Sequence, residues 1–252
     1  MKPAICISGL ARGNIKRNIN HLKKAFPNIP MFFASWEETK NDISEQFECS
    51  YYPEPQMHYN PWSECVIDNP HPKYHVYKKN FLTTKLNGQS MPNEARLLNA
   101  TKQLIAHAYQ LADLPKEYDM IIRARWDTVV SNKLDFTSYL EQSYNEKMAI
   151  GFAIRGDRHI ILDKFKDIDH IYIQEDTDHK WSRDWSYWIN DNMVFHRRDM
   201  YDCDLVHKLH KEKRLWPAEY GWYQMLSSMD NHHCVYGGAC IERFAHQLKE
   251  AP

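Results

Sequence analysis

The stretch AICISGLARGNIKRNINHLKKAFPNIPMFFAS, residues 4–35, decides the fold class. Ala4–Ser8 is a short β-rich run, and Gly9–Gly13 (GLARG) reads as a turn. Asn14 can cap a helix, and Ile15, Ile19, Leu22 and Phe26 follow it at helical spacing. Pro27 closes that helix, and Ile29–Ser35 (IPMFFAS) reads as a second buried strand. A strand, a turn, a helix and a strand imply a parallel pair with a right-handed crossover. Open sheets of this kind bind ligands at the carboxyl ends of their strands.

A later strand ends in charge. In YDMIIRARWDTVV, residues 118–130, the apolar run Met120–Ile122 leads into Arg123, Arg125 and Asp127. A strand repeats every two residues, so these three side chains are expected on one face. The clearest helix of the chain, Asn93–Ala112, runs directly into it, with Leu97, Thr101, Leu104, Ile105, Ala108 and Leu111 along one face. Further strands are expected at Met148–Ile154, His159–Leu162, Asn192–His196 and Cys234–Tyr236, and helices at Asp199–Leu209 and Glu219–Met229. Residues 37–92 are polar, rich in proline and dotted with aromatics, and read as an irregular insertion with short strands or helices. The expectation is α/β: one domain over 1–252, a mostly parallel, Rossmann-like sheet flanked by helices, with 37–92 inserted in it.

Composition removes several function classes. The 252 residues are 43% hydrophobic and 26% charged, as in an ordinary soluble globular protein. Only 8 are glycine, and neither GxGxxG nor GxxxxGK[ST] occurs, so dinucleotide-fingerprint and P-loop readings lose their main support. A net charge of −1 leaves no global positive field for a polyanion. The local basic stretches at Lys16–Arg17, Lys23–Lys24 and His207–Arg214 read as solvated helix faces. None of the six cysteines forms CxxC, which favours a reducing compartment. The N-terminal apolar run is too short for a signal peptide, and no stretch approaches the ~18 apolar residues of a membrane span. A soluble, cytoplasmic protein is expected.

The candidate chemistry gathers around a few residues. Asp127 is either a salt-bridge partner of Arg125 or a helix cap, or a carboxylate that holds a divalent cation or a donor sugar at a strand end. Arg123 and Arg125 are costly to bury unpaired; they either pair with internal acids or face a cleft, where guanidinium forks match phosphate. Ser8, Gly9 and Arg12 sit in the turn before the first helix, whose N-terminal N–H groups favour anions. Asp191 in WINDN and Glu219 in WPAE are further acids, either of which could act as a general base for an acceptor hydroxyl. The aromatic run His179–Trp188 reads as a packed loop or as a stacking platform for a sugar or base. GxSxG and HExxH are absent, and His232–Cys234 lacks partners at zinc spacing.

In order along the chain, SGLARG, FFASW, the long helix into YDMIIRARWD, INDNMVFHRRDM and PAEYGWYQML resemble small GT-A-type glycosyltransferases, in particular the WavE-like and phage- or virus-encoded sugar transferases. The likeness covers most of the chain except residues 37–92. It implies a nucleotide-sugar donor and often Mn²⁺ or Mg²⁺, with Asp127 as the metal- or donor-binding acid. It places Ser8, Gly9 and Arg12 near the nucleotide, and Asp191 and Glu219 near the acceptor. The acceptor it implies is a bacterial surface glycan or a hydroxymethylated cytosine of phage DNA, the latter in the host cytoplasm. The sequence departs from the pattern in one respect. The usual D-x-D is missing, and Arg125 stands where its first acid would be. Arg123 and Arg125 could then neutralise the leaving diphosphate instead. Two other classes remain open: a metal-dependent phosphohydrolase or nuclease, and a non-catalytic nucleotide- or glycan-binding module.

Overall fold

The computed structural model describes residues 1–43, 46–61, 94–131, 134–153, 189, 191–216, 218–226, 232–236 and 238–241. The strands are β1 (Pro3–Ile7), β2 (Met31–Trp36), β3 (Cys49–Tyr52), β4 (Met120–Ala124), β5 (Thr128–Val130), β6 (Ala149–Ala153), β7 (Met193–Arg197), β8 (His232–Tyr236) and β9 (Ala239–Ile241). The helices are α1 (Ile15–Ala25), α2 (Lys40–Ile43), α3 (Glu94–Asp113), α4 (Phe136–Asn145), α5 (Cys203–Lys211) and α6 (Ala218–Leu226).

Seven strands form one sheet in the order β3-β2-β1-β4-β7-β6-β8, and β5 pairs with β9 in a small second sheet. All neighbours in the large sheet are parallel except at β7, which runs against both β4 and β6. The expected α/β class with a mostly parallel sheet flanked by helices is what the chain adopts. Strands β1 and β4 are buried on both faces. Ala4, Cys6 and Ile121 meet the layer of α3, α5 and α6, while Ile5, Ile7, Met120 and Ile122 meet the layer of α1 and α4. Two-sided burial explains why both strands read as unbroken apolar runs rather than as alternating ones.

Local signals set most element ends. Asn14 caps α1 by accepting from the Arg17 N–H, and Ile19 and Leu22 are its buried stripe. Thr101, Leu104, Ile105, Ala108 and Leu111 of α3 are buried, as the periodicity requires.

The expected helix over Asp199–Leu209 is two elements. A 3₁₀ turn covers Arg198–Met200, and α5 begins at Cys203, where Asp202 accepts from the Leu205 N–H. That cap competes with continuation of the preceding turn, so the helix restarts there. Helix α4 is an element the periodicity reading passed over. Asp135 caps it, and Phe136, Leu140 and Ser143 face inward. Within residues 37–92, Cys49–Tyr52 pairs in parallel with β2 and forms an edge of the main sheet. The expected strand at His159–Leu162 and the aromatic run His179–Trp188 lie outside the described residues.

The topology contains a switch point. From β1 the chain crosses through α1 to β2 and β3 on one side; α3 then returns it to β4 on the other side of β1. Crossovers that diverge on either side of adjacent parallel strands leave a crevice at the strands' carboxyl ends. Here that crevice lies between Ser8 and Arg125.

Candidate functional site

Register brings the pieces together. Ile7 of β1 sits opposite Ala124 of β4, so Ser8 and Arg125 emerge side by side. Ala124 also sits opposite Met193, and because β7 is antiparallel, Asp191 and Asn192 reach the same edge.

The strand stops at Ala124, and Arg125–Asp127 form a turn into β5. This corrects the expectation that Arg123, Arg125 and Asp127 share one strand face. The turn is pinned on three sides. The Arg125 N–H donates to Thr128 Oγ1 at 2.9 Å, and that hydroxyl donates to the Asn192 carbonyl at 2.7 Å. Trp126 is fully buried; its indole N–H donates to the Ala34 carbonyl at 3.0 Å, and its ring stacks on Phe33. Asn18 of α1 donates to the Trp126 carbonyl at 3.2 Å.

A chain of alternating charge runs across the crevice. Arg12 Nε donates to Asp127 Oδ2 at 2.7 Å. Arg125 takes the same carboxylate in a fork, Nε to Oδ1 at 2.9 Å and Nη2 to Oδ2 at 3.2 Å. Its Nη1 reaches Asp191 Oδ2 at 3.2 Å. Bidentate pairs of this kind are the strong form of the interaction. Burial alone would raise the Asp127 carboxyl, but the Arg125 and Arg12 guanidiniums overcome it and hold the group below its ordinary value. Asp127 is therefore a firmly ionised group and a weak proton acceptor.

Arg123 takes a different place from the one expected. It is fully buried, donates to the Asp191 backbone carbonyl and to Gln103 Oε1, and lies 4.6 Å over the Trp222 ring. Burial lowers its guanidinium to about 10, which leaves it charged at neutral pH. Expected among the donor-binding groups, it has no exposed surface in this structure and reaches the site through Asp191 and Gln103.

The SGLARG turn is also built. Gly9 has φ +97°, a conformation that favours glycine, and a Cβ there would come within 2.2 Å of Gln103 Oε1. Ser35 Oγ donates to the Gly9 carbonyl at 2.9 Å and shares a 2.7 Å hydrogen bond with Thr39. Ser8 is buried, and its hydroxyl has no partner among the described residues. Glu219 lies in the first turn of α6; its side chain is outside the described residues.

The structure thus gathers Ser8, Gly9, Arg12, Arg125, Asp127 and Asp191 at one edge. Gln103 is the residue that sequence reasoning missed. A signal was present: Gln103, His107 and Gln110 recur at i, i+4 and i+7 on α3, all three buried. A polar stripe at helical spacing means a helix face with polar duties toward the sheet.

The residues present do not fit a divalent cation at Asp127. Hard cations need carboxylate oxygens free to coordinate, whereas both oxygens of Asp127 accept from guanidiniums. Among the described residues, no three His, Cys, Asp or Glu side chains are grouped to hold an ion. No helix among them is long and apolar enough to cross a membrane.

No family model matches the chain, and no curated protein matches it. Solved structures similar to it include 4-diphosphocytidyl-2C-methyl-D-erythritol synthase from Anaerococcus prevotii, at 8% identity and TM-score 0.46, with 94% of this chain and 86% of that one covered. Core-mannan synthase A from Aspergillus fumigatus, in an Mn/GDP form, matches at 11% identity and TM-score 0.45, covering 93% and 72%. TarS 1–349 of S. aureus in complex with UDP-GlcNAc matches at 11% identity and TM-score 0.41; 95% of this chain spans 58% of it. Likenesses at this level assign no activity.

Proposed function

We propose that the protein is a glycosyltransferase that moves a sugar from a nucleotide-sugar donor to a hydroxyl acceptor. The observation that carries this reading is the convergence of Arg12, Arg125, Asp127 and Asp191 beside the glycine turn, at the switch point between β1 and β4. In the transfer, the bond between the sugar's anomeric carbon and the diphosphate oxygen breaks. A bond from the acceptor oxygen to that carbon forms, and the acceptor proton passes to a base or to water. Negative charge grows on the departing diphosphate, and fixed cations aimed at it lower the barrier.

In this reading, Ser8, Gly9 and Arg12 border the diphosphate, with Arg125 behind them. Arg123 holds the Asp191 segment in place. Of the two acids assigned to the acceptor side, Asp191 is committed to Arg125, so Glu219 is the one to test as the base. The acceptor is a hydroxyl of a surface glycan or of hydroxymethylated cytosine in DNA.

The test is a thermal-shift and titration screen of UDP, GDP, CDP, ADP and TDP and their sugars, followed by transfer assays on a glycan and on hydroxymethylated DNA. A specific nucleotide sugar should raise Tm by linkage. If no nucleotide or nucleotide sugar binds under any condition, the transferase reading fails.

A further inference from the structure

Resting on the nucleotide-sugar reading, we infer that the donor's diphosphate is held directly by arginine, with Arg12 as the contacting group. Asp127 then serves as a positioning residue that aims the guanidiniums and does not ligate a metal.

The argument begins with the hydrogen bonds of Asp127. The carboxylate is buried and receives three N–H donors from two arginines, with contacts on each oxygen. A divalent cation on either oxygen would have to displace a guanidinium or sit against one. Like charges that close repel. Asp191 is engaged as well: its Oδ2 accepts from Arg125 and its backbone carbonyl from Arg123. A cation at Asp127 would have to break a charged pair, and one at the remaining Asp191 oxygen would sit beside the Arg125 guanidinium.

The described charges instead suit an anion. Arg12 and Arg125 converge on Asp127, Arg125 also reaches Asp191, and the buried Arg123 donates to the Asp191 backbone carbonyl and to Gln103. Of these three arginines, Arg12 is the exposed one. Its side chain is 40% exposed, and among the described residues it commits only Nε, to Asp127. The two terminal nitrogens remain to bond phosphate oxygens, which a guanidinium fork fits well. Arg12 also lies in the turn that opens α1. Asp127 fixes one edge of the Arg12 guanidinium and leaves the other to the ligand.

The experiment is equilibrium titration of the full-length chain with inorganic pyrophosphate and with the nucleoside diphosphates, in EDTA and again in Mn²⁺ or Mg²⁺. Affinity for the preferred nucleoside diphosphate should agree within about threefold between the two conditions. Arg12→Ala should weaken it by about tenfold or more, and Arg12→Lys should restore only part, because a point charge lacks the fork. Asp127→Asn separates the roles. A positioning acid keeps an acceptor oxygen in this variant and shields the arginines less, so affinity in EDTA should hold or rise. A metal ligand would lose the Mn²⁺-dependent binding.

If a nucleoside diphosphate binds only with a divalent cation, and Asp127→Asn abolishes that binding, the inference is overturned and the nucleotide-sugar reading stands. If pyrophosphate binds in EDTA through Arg12 but no nucleotide does, the arginine clamp stands and the nucleotide-sugar reading falls. Circular dichroism of each variant separates loss of binding from loss of fold.

Discussion

Two polar clusters lie against the same strands, one at the mouth of the crevice and one sealed beneath it. At the mouth, Arg12, Arg125, Asp127 and Asp191 are paired. Beneath it, His107 of α3 meets His196 of β7, Nε2 to Nε2 at 2.9 Å, with Tyr201 and Trp222 packed around them. His196 Nδ1 donates to the Arg197 carbonyl at 2.8 Å, so its Nε2 is the acceptor and His107 Nε2 the donor. Burial holds both imidazoles neutral: His107 is pushed well below its ordinary value and His196 to about 4. The comparison shows what keeps a charge inside a fold. Groups paired in forks near solvent stay ionised, and groups sealed among aromatics give their protons up.

Arg123 joins the two clusters, and removing it is the largest perturbation expected. It touches Asp191 and Gln103 on one side and Trp222 on the other, with its guanidinium fully buried. Arg123→Ala would leave a carbonyl and an amide oxygen unpaired and open a cavity. We expect a loss of about 4 kcal/mol in urea denaturation. A loss below ~1 kcal/mol would mean that the clusters are independent.

Acid should break the lower cluster before the upper one. The folded-state values of His107 and His196 lie below that of an unfolded histidine, near 6.5. Between pH 6.5 and about 4 the unfolded chain therefore binds protons that the folded chain does not, and stability falls as pH falls through that window. His210, lowered to about 4 by burial and by His58, adds to the same limb. Asp127 is also lowered in the fold, so its contribution is present above the unfolded carboxylate value and is lost only below pH 3.8. Urea midpoints measured from pH 8 to pH 3 should show the histidine limb first; a flat profile down to pH 5 would contradict the sealed pair.

The smallest of the three effects is expected at the turn of the upper cluster. Gly9→Ala places a Cβ at φ +97° and against the Gln103 side chain, at a cost of about 2 kcal/mol. Because Gln103 also holds Arg123, the substitution should weaken anion binding as well as stability. Unchanged pyrophosphate affinity would show that the turn and the arginine cluster are uncoupled.

Much of this was legible in local patterns. Strand β1, helix α1, strand β2, helix α3 and strand β4 follow from runs and periods within a few residues of each other. The carboxyl-end position of Arg125 and Asp127 followed from the βαβ rule. Helix α4 was just as local, with a capping Asp135 and an inward stripe, and was missed because its apolar residues are few and separated by polar ones. Strand β3 could not be placed, since its four residues become part of the sheet only through pairing with β2.

The sequence by itself determined an α/β chain whose apolar strand ends in two arginines and an acid next to a glycine turn. Tertiary structure decided which charge meets which. Arg12 and Asp127 are 115 positions apart, and Arg125 and Asp191 are 66 apart, so no local pattern relates them. It also decided that Arg123 belongs to the core and Arg12 to the crevice mouth. The physical reason is that the strand stops at Ala124, where the sheet edge, and no longer the period of two, directs the side chains.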